Sequence, residues 1–220
     1  MSNTRLVLIR HGESRATVER FLGGYRTCTG LTDFGRAQVR ALRDRLITGH
    51  DVAATALISS NFPRAIETAQ ILAPALGSMP IDINAGWGEH DPGPDLDGIA
   101  FDAYVAKFGQ PSWADLDAVV FPGGETVGQF HSRVINTLRE TVRRNEGGTV
   151  VVACHGGVVD AVMRHTLQMH QTGKFELHAL NTSITEIVHV EASKWRLVRY
   201  NDAAHLSSLQ PVASPDSSAS

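Results

Sequence analysis

Short runs of apolar, β-forming residues alternate with helical patterns along this chain, and that alternation restricts the fold more than any other feature. Residues 5–9 (RLVLI), 56–59 (ALIS) and 149–154 (TVVVAC) read as buried parallel strands, because a strand covered on both faces carries a continuous apolar run. Between them apolar residues recur at helical spacing: Val39, Leu42 and Leu46 after Thr32; Ala65, Ala69, Leu72 and Leu76 after Pro63; Val127, Phe130, Val134 and Leu138 after Glu125. Pro63 preceded by Ser60 or Asn61, and Gly77 beyond the last periodic residue, supply start and stop signals. Strands alternating with helices predict a three-layer α/β/α sandwich around a mostly parallel central sheet. A closing pair of strands is expected near residues 184–190 and 195–200.

With 220 residues, 42% of them hydrophobic, the chain can bury one substantial core, so a single domain is expected over residues 1–202, with a lid insertion around 86–125. From residue 203 the composition turns to Ser, Ala and Pro, which predicts a disordered tail over 203–220. The 20 basic and 23 acidic side chains nearly cancel, to a formal charge of -3, so neither nucleic acid nor an anionic membrane is expected as a partner. Any anion site has to be local. Cys28 and Cys154 are too few for a disulfide framework, and the apolar run at 6–9 is too short for a signal-peptide core or a membrane span. The chain therefore reads as cytoplasmic, its oligomeric state open and a homodimer compatible with it.

In open α/β sheets ligands bind beyond the carboxyl ends of the strands. His11 follows the first strand, Arg64 the second, Glu89 a short segment at 80–83, and His155 the strand ending at Cys154. With Arg10 they amount to two imidazoles, two guanidiniums and a carboxylate. Phosphoryl transfer needs that set: a nucleophile, donors for the equatorial oxygens and a proton source for the leaving oxygen. Each signal is weak singly, since a lone histidine after a strand is more often structural and a lone arginine at a helix start is more often a surface charge. Their coincidence at strand ends gives them weight. On the residues alone the acid stays open among Glu89, Asp91 and Asp95.

The motif L-V-L-I-R-H-G-E-S at 6–14 is followed in order by G-L-T-x-x-G at 30–35, S-S-x-x-x-R-A-x-x-T-A at 59–69, P-G-G-E at 122–125, H-G-G at 155–157 and N-T-S-I-T at 181–185. Together, over roughly residues 5–200, they resemble the histidine phosphatase superfamily, also called phosphoglycerate-mutase-like. The resemblance implies that His11 is a nucleophile forming a phosphohistidine, with Arg10, Arg64 and His155 as the phosphate pocket and Gly156 beside it. It assigns Glu89 as general acid, four residues before Gly93, where members often read E-x-x-x-G. Where many relatives carry an Asn that contributes to phosphate binding, Thr17 stands here. The stretch H-D-P-G-P-D-L-D-G after Glu89 departs from the family's pattern. His90 and Trp87, which flank Glu89, are the lid residues expected to reach substrate. No cofactor and no metal are implied.

Other readings carry less. A cysteine-phosphatase loop needs an arginine six residues after its cysteine, where Cys154 has Asp160, so the thiol is expected in the core. Gly12-Glu13-Ser14 lacks the second glycine of a nucleophile elbow, since Ala16 stands there. His165 with His170, or His90 with Asp91, match no strong metal motif, and there is no Walker-type glycine loop. Glu13 is expected to orient a neighbouring basic side chain. Phe101, Tyr104, Phe108 and Trp113 are expected to pack the lid at least as much as to touch substrate.

A mutase needs cations for a second phosphate and a carboxylate. Residues 86–125 hold eight carboxylates against one full-time cation, Lys107. That balance favours hydrolysis, metal-independent, of a small-molecule phosphomonoester whose leaving group is neutral, polar or cationic; because the acid must be protonated as the ester breaks, a mildly acidic optimum is expected. The alternatives are phosphoglycerate mutase-type transfer, or a catalytically silent phosphate-binding protein.

Overall fold

The computed structural model describes residues 3–50, 52–173, 175–191, 194–207 and 209, and the strands lie where the apolar runs put them. They are β1 (Thr4–Arg10), β2 (Ala56–Ser59), β3 (Ile81–Ile83), β4 (Thr149–Cys154), β5 (Ile184–Glu191) and β6 (Lys194–Asp202). One sheet holds them in the order β3-β2-β4-β1-β5-β6. β1 to β4 are mutually parallel, β5 runs antiparallel to β1, and β6 antiparallel to β5. The mostly parallel sheet inferred from the continuous apolar runs is the one observed.

The helices are α1 (Arg15–Val18), α2 (Asp33–Gly49), α3 (Pro63–Leu72), α4 (Phe101–Phe108), α5 (Val127–Arg144) and α6 (Gly156–Thr166). The three periodic patterns became α2, α3 and α5. Thr32 caps α2 by accepting from the Gly35 amide, and Thr126 with Gln129 forms a capping box at α5. α6, with Val158, Val159, Ala161, Val162 and Met163 all buried, was not among the helical patterns read from the sequence.

Strand alternation sorts the core into two layers. Leu6 and Leu8 of β1, with Val150 and Val152 of β4, pack under α5 and α6 through Phe130, Val134, Leu138 and Val162. Val7, Ile9, Val151 and Ala153 face the other way, onto Val39, Leu42 and Leu46 of α2 and Ala69 and Leu72 of α3. This is the expected α/β/α sandwich. At the β1–β5 side, buried Glu186 pairs with Arg5 at 2.5 Å and with Arg199 at 2.9 Å. No helix among the described residues is long and apolar enough to cross a membrane.

The tail expected from residue 203 opens instead on a 3-10 turn, Ala204–Leu206, packed against α2. There His205 Nε2 lies 2.8 Å from the Thr182 hydroxyl. Residues 208 and 210–220, the remainder of the expected tail, lie outside the described residues.

Leu138→Ala removes a wholly buried side chain from the α5 layer, so urea unfolding should show a loss of about 2–5 kcal/mol. Ile47→Ala on α2, where the side chain is 48% exposed, should cost under about 0.5 kcal/mol. Equal losses would contradict this assignment of the two positions.

Candidate active site

Parallel pairing brings the carboxyl ends of β1, β2 and β4 to one edge, and the residues just past them form the site. The His11 amide donates to Cys154 O at 2.9 Å and the Ser60 amide to Ala153 O at 3.1 Å, so the ladder continues one step beyond the strands. The turn after β1 rests directly on the start of α2. A Cβ on Gly12 would stand 2.6 Å from Gly35 O, and one on Gly35 would stand 2.0 Å from Glu13 O. Two glycines from separate motifs are therefore needed for one backbone-to-backbone contact. Glu13 accepts from Thr32 Oγ1 at 2.6 Å, and its amide donates to Gln38 Oε1 at 2.9 Å. It thus holds the N-cap of α2, which corrects the expectation that it orients a basic side chain.

His11 is nearly buried, and its tautomer follows from its neighbours. The Nε of Arg64 can only donate, and it lies 3.0 Å from His11 Nε2. Nε2 must therefore carry the lone pair, leaving the proton on Nδ1, which donates to Gly12 O at 2.7 Å. Asn181 Nδ2 donates to the His11 carbonyl at 2.9 Å and steadies the same residue from the loop before β5. Burial, then the charges of Arg64 and Arg10, hold the His11 imidazole well below its usual pKa. It is unprotonated at neutral pH.

Arg64, at the start of α3, also donates to Gly23 O at 2.8 Å and lies over the Phe62 ring. Arg10 donates to Ala179 O, while its Nε has no hydrogen-bond partner among the described residues. His155 precedes α6 and shares a 2.7 Å hydrogen bond with Ser60 Oγ through Nε2, its Nδ1 being unpartnered. Its ring stands edge-on to His11, 5.1 Å between centroids, and wholly buried; it backs His11 and does not itself line the cavity. Burial, Arg64 and then His11 depress its pKa as well.

Glu89 reaches across to the start of α6, where Oε2 accepts from the Gly157 amide at 3.0 Å. Gly156 and Gly157 line the cavity beside it, so the amino end of an eleven-residue helix, with its partial positive charge, faces the site. Thr17 is exposed at the cavity wall, its hydroxyl 3.1 Å from that of Ser14. His90 lines the cavity too. Trp87 does not: it is wholly buried in the core under α5, so its expected contact with substrate is corrected. Cys154 is a core residue whose thiol burial pushes up.

Sequence reading missed the brace that holds Glu89. Arg133 of α5 donates to Gly86 O and Gly88 O, both at 3.0 Å, and to Glu89 O at 3.3 Å. It pairs with Glu125 at 2.5 Å, and Glu125 accepts from the Asp91 amide at 3.0 Å. One ion pair thus ties down both sides of Glu89. The P-G-G-E motif pointed to Glu125, but in the sequence Arg133 is one more charge on an amphipathic helix.

Residues 86–125, where a lid insertion is expected, carry α4, and Leu96, Tyr104, Val120, Phe121 and Val127 form a small core there. Phe101 and Phe108 pack on Tyr104. Asp97 fastens the lid to the loop after α1 by accepting from the Gly24 and Arg26 amides at 2.9 and 3.0 Å. Of the eight lid carboxylates only Glu89 lines the cavity; Asp97 and Glu125 are structural, so the acidic segment does not act on substrate as a whole. The cavity, about 640 Å³, takes its other carboxylates from Asp160 and Glu176. Among the described residues Arg164 is the one arginine on its wall beyond Arg10 and Arg64, and it is committed to Asp160 at 2.7 Å and to the carbonyls of His170 and Phe175.

A family model described as the histidine phosphatase superfamily (branch 1) matches residues 6–203. A metal-independent phosphoserine phosphatase of Arabidopsis thaliana is 28% identical over 214 residues, covering 94% of this chain and 84% of that protein. A 2,3-bisphosphoglycerate-dependent phosphoglycerate mutase of Brucella canis is 34% identical over 175 residues, 74% of this chain and 81% of that one. Among solved structures, Bacillus stearothermophilus YhfR superposes with a TM-score of 0.77 at 27% identity, covering 92% of this chain and 99% of its own.

The depressed imidazoles make a prediction about stability. Unfolded histidines take up protons near pH 6.5, while folded His11 and His155 do so only well below it, so the unfolded chain binds more protons under mild acid. Stability is then fully present above about pH 6.5 and is lost as pH falls. Urea unfolding free energy should drop by at least about 2 kcal/mol between pH 7 and 5, and by less in His155→Asn. A flat profile would show that these rings are not desolvated.

Proposed function

This chain belongs to the histidine phosphatase superfamily, and from that membership we propose that it hydrolyses a phosphomonoester, passing the phosphoryl group first to His11 and then to water. The observation that carries the reading is the lone pair of His11 Nε2, fixed by the Nδ1 bond to Gly12 O and aimed among Arg64, Arg10 and the start of α6.

In the proposed reaction Arg64, now bound to Nε2, turns its donors to the phosphate oxygens, joined by the unpartnered Nε of Arg10 and the amino end of α6. The Nε2 lone pair attacks phosphorus, and the bond from phosphorus to the ester oxygen breaks. Glu89, as the carboxylic acid, gives that oxygen its proton and the alcohol leaves. Water then attacks the phosphohistidine, Glu89 as carboxylate takes its proton, and phosphate departs from a regenerated His11. No step calls on a metal. His155 packs edge-on behind His11 and keeps that ring in place.

Hydrolysis is favoured over mutase transfer by the charges on the cavity wall. A bisphosphorylated three-carbon acid needs counter-charges beyond the first phosphate. Among the described residues the remaining arginine there, Arg164, is spent on Asp160 and two carbonyls, and Asp160 and Glu176 add negative charge. The negative charge on the wall beyond Glu89 comes from α6 and the segment after it, not from the acids of residues 86–125. A catalytically silent role is disfavoured because nucleophile, acid and both phosphate arginines stand together.

Assayed on p-nitrophenyl phosphate without added metal, the protein should turn over, and His11→Ala should fall to background; residual wild-type rates in His11→Ala would overturn the nucleophile. In kcat/KM, which reports the phosphorylation step, Glu89→Gln should lose about 10²–10⁴-fold on alkyl phosphates and far less on the nitrophenyl ester, whose leaving anion needs little protonation, while kcat falls on both because the attacking water still lacks its base. Arg133→Ala should show the same asymmetry in milder form, at most about 10²-fold on alkyl esters, because it displaces the acid rather than removing it. Uniform losses across leaving groups would mean that the Arg133 brace does not serve Glu89.

A further inference from the structure

The half of the cavity beyond the phosphate site has a composition of its own. His90 is 6% exposed, and neither of its ring nitrogens has a hydrogen-bond partner among the described residues. Three aromatic rings surround it: Trp113 edge-on at 4.8 Å, Phe121 at 5.6 Å and Phe130 at 5.6 Å. Trp113 is 45% exposed although it stands on the cavity wall, and it packs against Phe121 at 6.0 Å. An imidazole buried among hydrocarbon with both nitrogens unmade costs stability, so the chain tolerates an arrangement that a phenyl ring would fill without penalty.

We propose that this half of the cavity receives a planar, uncharged ring with a hydrogen-bonding edge, so that the substrate is the phosphate ester of a ring-bearing alcohol. The proposal rests on the hydrolase reading above. Edge-to-face rings form a wall for another flat ring. His90, in its neutral form one donor and one acceptor, is the polar group of that wall; both nitrogens are covered in this structure, so the ring that bonds them displaces the half-exposed Trp113. Because it adjoins Glu89, whose carboxylate meets the ester oxygen, a ring seated on it lies a few bonds from the phosphate. Burial holds the His90 imidazole below its ordinary pKa against the opposing pull of Glu125, Glu89 and Asp91, so it stands neutral.

Charge on the described part of the wall disfavours the competing occupants. A carboxylate or second phosphate would meet Asp160 and Glu176 with Arg164 already committed, and a small polar alcohol would leave the aromatic wall uncovered. A cavity of about 640 Å³ has room for a bicyclic ring together with the phosphate.

Four primary alkyl phosphates test this: 2-(indol-3-yl)ethyl phosphate, 2-phenylethyl phosphate, O-phosphoserine and 3-phosphoglycerate. The expected order of kcat/KM places the indole ester at least tenfold above both phosphoserine and 3-phosphoglycerate, with the phenyl ester between. His90→Phe should bring the indole-to-phenyl ratio close to one, with Tm confirming the fold, because only the ring nitrogens have gone. Trp113→Ala, at an exposed position, should lower kcat/KM for both ring esters more than for phosphoserine. Preference for phosphoserine or 3-phosphoglycerate, or an indole-to-phenyl ratio that His90→Phe leaves unchanged, would overturn the proposal. If the ring esters fail while p-nitrophenyl phosphate is cleaved, the ring site alone is wrong; if that ester also fails, both readings are.

Discussion

An arginine Nε has a proton to give and no lone pair to accept with, so its 3.0 Å contact with His11 Nε2 decides the state of the histidine. The proton must sit on Nδ1, tied to Gly12 O, and the basic nitrogen must face Arg64. Everything near the site serves that one orientation. Gly12 can hold its carbonyl there because Gly35 lets the start of α2 approach without a side chain between them, and Asn181 fixes the His11 carbonyl from the opposite loop. Burial with two guanidiniums nearby then keeps the ring unprotonated, as a nucleophile must be.

The acid is held in another way. Glu89 lies in irregular chain between β3 and α4, where no sheet ladder fixes the backbone, and the Glu125–Arg133 pair replaces the ladder. Arg133 binds carbonyls on one side of Glu89 while Glu125 binds an amide on the other. The α6 amide at Gly157 sets the direction of the carboxylate. A lid with its own small core can therefore vary its substrate-facing residues without disturbing the proton donor.

Much of this was legible in the sequence, for identifiable reasons. Continuous apolar strands and amphipathic helices made the sandwich readable, and strand-end positions made His11, Arg64 and Glu89 stand together. α6 was not singled out, because its apolar residues crowd together in a short stretch and its polar ones, Asp160 and Arg164, turn to the cavity, and Trp87 looked like a site residue only because sequence neighbours were taken as spatial ones. The acidic lid misled in the same way. A carboxylate count cannot tell Asp97, bound to backbone amides, from Glu89, which faces the cavity. The committed state of Arg164 and the brace at Arg133 depend on contacts between distant segments, which no local pattern records.

The central claim is a covalent phosphoryl group on one nitrogen of one histidine. Mixing the Glu89→Gln protein with p-nitrophenyl phosphate should let the intermediate form and hinder its hydrolysis, because the leaving anion needs no acid while the attacking water still needs a base. Quenching in alkali, where phosphohistidine survives, and mapping by mass spectrometry and phosphorus NMR should place the phosphoryl group on Nε2 of His11. A phosphoryl group on Nδ1 or on another residue, or turnover that continues with no adduct, would contradict the account.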